Sequence, residues 1–203
     1  MLTPTLQQGD ALLASQAIML AAVTVSVYLG RRWLDRRSFV SLGLSWNRRA
    51  LQDLSVGILI AALMMALIFL IELGWGWLTV QSYAWHSERP TQVAAGVFSM
   101  LVVFALGAWA EELLHRGYWL QNLEEGVNLF WAVMFSSMFF SVTHITNPNF
   151  SIAALVGLFV SGVFLAYGYL RTRLLWLPIG LHIGWNLFES TVFGFSVSGL
   201  DGL

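Results

Sequence analysis

The sequence predicts an all-α protein, a polytopic membrane helix bundle of about six transmembrane helices. Three observations carry this. Of the 203 residues, 58% are hydrophobic and only 10% are charged, where a soluble domain has about 25% charged residues. The apolar residues fall into runs of spanning length, about 20 residues each. The few charges gather at the ends of these runs or in three short motifs. Lipid accommodates such apolar surface, which a water-soluble fold of this size has no interior to hide.

The first span covers residues 11–30. No basic region precedes it, so it reads as a retained helix and not a cleaved signal peptide. All ten basic residues are arginine, and six lie between Arg31 and Arg49. That mixed block is too short for a nucleic-acid surface. Residues 38–53 are expected on the membrane surface. The second span covers residues 54–73 and is followed by a loop rich in Trp, Ser and Pro over residues 74–92. The third begins near Val93 and stays apolar to Ala110. The fourth covers residues 128–144, and Asn147-Pro148-Asn149 marks a turn. The fifth covers residues 151–170, stopped by Arg171 and Arg173. The sixth begins at Pro178, suited to a first helical turn, and reaches Phe193. The positive-inside rule puts the arginine block, Arg171 and Arg173 in the cytoplasm and both termini outside. Counting then sets His144 near the outer end of the fourth span and His182 near the inner start of the sixth. A shared site would require a re-entrant, tilted or broken element, which is tolerated where it is buried or lines a wet cavity. Residues 1–92 read as two N-terminal helices with a basic cytoplasmic linker, and residues 93–203 as the catalytic core.

Ionisable groups inside spanning segments cost free energy and mark function. The first motif is Glu111-Glu112-Leu113-Leu114-His115-Arg116. Glu112 and Arg116 are spaced to pair on one helix face, and a structural salt bridge is the plain reading for them. Glu111 points about 100° away and is not readily neutralised by the same arginine, leaving a carboxylate able to act as a base. The second motif sets Phe140 and His144 on one face; the third does the same for His182 and Asn186. Gly180 and Gly184 share a further face, where small residues admit close helix approach. Seen singly, either histidine motif is explained by interhelical packing. Together, Glu111 and His144 could hold a water and take its proton, while His182 and Asn186 donate to an oxyanion. There is no cysteine, so disulfides and thiolate chemistry are excluded, and no His-Glu-x-x-His or Gly-x-Ser-x-Gly motif occurs.

In that order, Glu111-Glu112-x-x-x-Arg116, Phe140-x-x-x-His144 and His182-x-x-x-Asn186 resemble the motifs of the CPBP family. These are the CAAX-protease, bacteriocin-processing and abortive-infection membrane proteins. The tail 193–199 is also similar. The resemblance implies an intramembrane glutamic endopeptidase in a bacterial or archaeal cytoplasmic membrane, engaged with lipid and a peptide or membrane-anchored protein substrate, and with no nucleic-acid partner. It implies CAAX-type or bacteriocin-type peptide processing. Glu111 would activate water, His144 position it, and His182 with Asn186 contact the oxyanion. Glu112, Arg116 and Phe140 would support them. No cofactor is expected. The alternative is zinc held by Glu111, His144 and His182 with water in the fourth position. It is disfavoured because ligating histidines need second-shell acceptors and Glu112 is expected to serve Arg116. Rival functions are a non-catalytic scaffold or immunity protein of the same family, and a transporter, against which the lack of repeated halves counts.

Overall fold

The apolar runs fold as helices because in lipid every backbone polar group must be satisfied within its own segment. The computed structural model describes residues 4–196. Helix α1 (Pro4–Leu29) passes into a wide π turn at Gly30–Leu34. Next come α2 (Arg48–Gly74), the short α3 (Ala84–Ser87) and α4 (Pro90–Glu112). A π-helical stretch, Leu113–Trp119, joins α4 without a break to α5 (Leu120–Gly126). Helices α6 (Leu129–Val142), α7 (Ile152–Thr172) and α8 (Trp176–Asn186) complete the bundle, and α8 runs into a third π-helical stretch, Leu187–Val192. Among the described residues there is no strand. The similar tail noted above lies partly outside them, from residue 197 onward.

Local signals set the starts. The side chains of Asn47, Asn128 and Ser151 accept from the backbone N–H groups of Ala50, Trp131 and Ala154 at the heads of α2, α6 and α7, satisfying otherwise orphan donors. Pro90 occupies the first turn of α4, where its missing N–H does no harm. Leu59, Leu63, Leu67 and Leu70 of α2 face outward, as lipid-facing side chains do.

The helical membrane bundle is as expected, but the spans are uneven. Four segments are long and apolar enough to cross: Ala11–Leu34, Arg48–Gly74, Pro90–Gly126 and Ile152–Thr172. The helices in the places of the fourth and sixth expected spans are shorter. Helix α6 has 14 residues and α8 has 11. At about 1.5 Å per residue α6 extends about 21 Å, against a hydrocarbon core of about 30 Å. The chain turns at Thr143 and His144 before reaching the far side, which removes the mismatch in depth between His144 and His182. The third span also continues past Ala110, since the polar side chains beyond it find partners inside the bundle.

Arg31, Arg37 and Arg49 of the linker meet residues at the end of the bundle where Arg173 lies. Arg37 pairs with Glu125, and Arg173 with Glu124 at 3.1 Å. Arg31 is buried there against Asp35, Ser41 and Asn122. Part of the linker packs into the end of the bundle. Leu42 and Leu44 are buried, Gln121 donates to the Leu42 carbonyl at 3.0 Å, and the Leu175 N–H donates to Gly43 at 3.0 Å. The linker is thus a plug in the bundle end, with Gly43 in a left-handed conformation (φ 93°) that glycine adopts without strain.

Helix α8 is held against α2 by its small residues. A Cβ on Gly180 would collide with the Leu54 carbonyl, and one on Gly184 would stand 2.9 Å from the Ile58 Cα. This contact places His182 and Asn186. Gly180→Val should therefore lower the detergent melting temperature by the equivalent of roughly 1–3 kcal/mol or more of overpacking. Gly96→Ala in α4, with nothing within 4 Å of its added methyl, should be neutral or slightly stabilising. A thermal-aggregation series on both variants checks this.

Candidate active site

Glu111 and Glu112 close α4 and point in different directions, as their 100° offset requires. Glu112 turns into the bundle and is fully buried with Arg116. Its Oε1 accepts from Arg116 Nη1 at 2.9 Å and from His182 Nδ1 at 2.8 Å. Arg116 also donates to the Gly162 carbonyl of α7 at 3.1 Å and lies 4.4 Å from the centroid of the Phe140 ring of α6. One ion pair thereby touches α4, α6, α7 and α8.

Glu111 turns the other way, into a cavity of about 600 Å³. Its Oε2 is buried without a hydrogen-bond partner. It stands 3.6 Å from His144 Nε2 and 4.0 Å from His182 Nε2. The expected meeting of Glu111 with both histidines is present. His144 Nδ1 donates to the Phe140 carbonyl at 2.8 Å. A carbonyl only accepts, so Nδ1 carries a proton, and Nε2 is the ring nitrogen that faces Glu111. Asn186, one turn past His182, lines the same cavity.

Phe140 is the buried aromatic centre of the site. Its ring lies 4.9 Å from His144, 5.9 Å from His182 and 5.3 Å from His115. His115, the remaining histidine of the first motif, is behind this ring and outside the cavity. Its Nδ1 donates to the Glu111 carbonyl at 2.8 Å, and its other nitrogen is buried without a partner. The π turns begin immediately after Glu112 and after Asn186. Such wide turns recur at functional sites, and no residue pattern considered in the sequence foresaw them.

The cavity also contains side chains the sequence reading passed over. Asn147, Asn149, Ser161, Trp185, Glu189 and Ser196 line it beside the apolar Leu158, Phe164 and Leu165. Glu189 was detectable, being a carboxylate within an apolar run and in helical register with Asn186. The loop asparagines were read only as turn formers.

A metal would have to use Glu111 Oε2 and the two Nε2 atoms. Both histidines do have acceptors behind their other ring nitrogens, contrary to the expectation that Glu112 would serve Arg116 alone. Among the described residues, however, no three His, Asp or Glu side chains stand in ligating geometry.

The twofold use of Glu112 predicts a structural phenotype. Glu112→Gln should lower stability by about 3–5 kcal/mol, since it strands the buried Arg116 charge, and it should also loosen His182. Thermal aggregation in detergent reads the first effect. A melting temperature equal to that of wild type would contradict it.

The comparisons bear on the half of the chain that carries these residues. Residues 93–188 match a family model described as Type II CAAX prenyl endopeptidase Rce1-like. No curated protein and no solved structure matches the chain. The matched stretch holds Glu111, Glu112, Arg116, Phe140, His144, His182 and Asn186. Over residues 93–188 the chain is similar to the Rce1-like type II CAAX prenyl endopeptidases, membrane proteases of the CPBP family.

Proposed function

We propose that this chain is an intramembrane endopeptidase that hydrolyses a peptide bond with a water activated by Glu111. The observation that supports this most is the unpartnered, buried Oε2 of Glu111 facing two histidine nitrogens inside a membrane cavity. Water held there donates one hydrogen toward Glu111 and the other toward His144 Nε2. Its oxygen attacks the scissile carbonyl as Glu111 takes the proton. The tetrahedral oxyanion accepts from the Asn186 amide and from His182. Because Nδ1–H of His182 is committed to Glu112, Nε2 donates only when the ring is doubly protonated. Collapse of the intermediate breaks the C–N bond, and Glu111 returns the proton to the leaving amine.

The substrate is a peptide segment reaching the site from within the bilayer. The apolar walls formed by Leu158, Phe164 and Leu165 fit apolar side chains or a lipidated C-terminus, the class that the family's description implies. Buried donors aimed at the oxyanion are worth roughly 10²–10³-fold each in rate.

Glu111→Gln should abolish hydrolysis of membrane-peptide pools while leaving the melting temperature near that of wild type, because the amide keeps the shape and loses the base. Collapse of expression in that variant would instead assign Glu111 a structural role. Asn186→Ala should retain substrate affinity and lose about 10²-fold in kcat. Zinc chemistry at the same three residues is the competing account of the site. Activity surviving exhaustive chelation, with no stoichiometric metal by mass spectrometry, supports the glutamate mechanism. Activity lost on chelation and restored by zinc overturns it.

A further inference from the structure

The cavity contains a second carboxylate that the hydrolytic set does not use. Glu189 lies on the π turn that continues α8, seven residues beyond His182 and three beyond Asn186, and all three line the same cavity. It lies one turn after Trp185, whose side chain also lines the cavity. Among the described residues it forms no ion pair: the carboxylates in ion pairs are those of Asp35, Asp53, Glu111, Glu112, Glu124 and Glu125. The remaining residues cannot supply a basic side chain, since every arginine and histidine of the chain falls between Arg31 and His182. An acidic group beside an apolar-walled membrane cavity, with no internal cation, has its complement elsewhere.

We propose that Glu189 and Trp185 form a cation-recognising subsite that selects a lysine or arginine side chain of the substrate peptide. This rests on the endopeptidase reading of the neighbouring site. The carboxylate supplies the ion pair. The indole beside it supplies a face that attracts ammonium and guanidinium groups. Seven helical residues advance about 10 Å along α8, and extended peptide advances about 3.3 Å per residue. The selected side chain therefore lies about three residues from the scissile bond. Glu189 is a specificity residue in this account and takes no part in the proton transfers. Glu189 stands one residue beyond the stretch matched to the family, and Trp185 stands within it.

The test separates this subsite from the hydrolytic reading by measuring binding where no cleavage is needed. Probes are apolar Leu/Ala membrane peptides of about 20 residues, in which a single Lys is moved position by position, each paired with its Gln counterpart. Affinities are measured with Glu111→Gln protein in lipid nanodiscs. The expected result is a Lys-over-Gln preference of about tenfold or more at one position, the range of a charge-assisted hydrogen bond. Adding Glu189→Gln should bring the ratio to about one, whereas Glu189→Asp, which keeps the charge, should retain it. Equal affinity for the Lys and Gln peptides at every position overturns the subsite, as does a preference that survives Glu189→Gln. The scan of Glu111→Gln protein alone decides the matter if the Glu189→Gln protein does not fold. Cleavage by wild-type protein is followed in parallel: absence of all cleavage counts against the endopeptidase, while the binding ratio alone decides the subsite.

Discussion

The buried Glu112 carboxylate is where the helices of the site are tied together, and most of the site geometry depends on it. Two charged side chains with no solvent access would be unfavourable in a membrane bundle unless each were well partnered. Glu112 meets this condition by accepting from both Arg116 and His182 with one oxygen. Arg116 meets it with Glu112, the Gly162 carbonyl and the Phe140 ring. The cluster crosses between four helices, so none of them can rotate without stranding a charge. The second carboxylate of the pair is then held facing the cavity, a direction it would not keep on a freely rotating helix.

Close backbone approach completes what the charges begin. The glycine faces of α8 against α2, and of α7 at Gly162 against Ser137 of α6, bring the motif helices nearer than larger side chains would permit. Lipid offers no hydrophobic drive for helix association, so intimate packing and buried polar contacts carry it. The short α6 is part of the same solution. It ends where Phe140 and His144 reach the ion-pair cluster, and the freed Phe140 carbonyl orients the His144 ring. The carbonyl bond to one histidine and the carboxylate bond to the other leave both Nε2 atoms directed at Glu111.

The cavity is asymmetric in its chemistry. Glu111 stands within 4.0 Å of both histidine Nε2 atoms, and Asn186 lines the same cavity. Trp185 of α8 and Glu189 of the following π turn also line it, with apolar walls beside them. Under the proposed endopeptidase function, the two polar groups would contact an extended peptide at positions some residues apart. The basic end of the bundle, closed by the linker plug and the Arg37 and Arg173 ion pairs, anchors the ends of α5 and α7. The site is therefore built on helices fixed by both electrostatics and packing.

Composition and spacing alone determined that the chain is a helical membrane protein, because lipid tolerates few backbone solutions and the apolar runs match its thickness. They also singled out Glu111, His144, His182 and Asn186 as candidate site residues, because a polar group in an apolar run is too unfavourable to be incidental. The offset of Glu111 from Glu112 followed from helical geometry, and the α8 glycine face from residue size. Four matters depended on the tertiary structure. The early end of α6 and the short α8 reflect partners that long-range packing provides, and hydropathy counts do not contain them. The linker was legible as polar and basic but not as a plug, since its burial depends on the space that α5 and α8 leave at the bundle end. Glu112 could be assigned to Arg116 by register, whereas its second bond to His182 spans 70 residues of sequence. Glu189 was visible as a residue and not as part of a site, because only the packing of α8 against its neighbours shows that it faces the same cavity as Glu111.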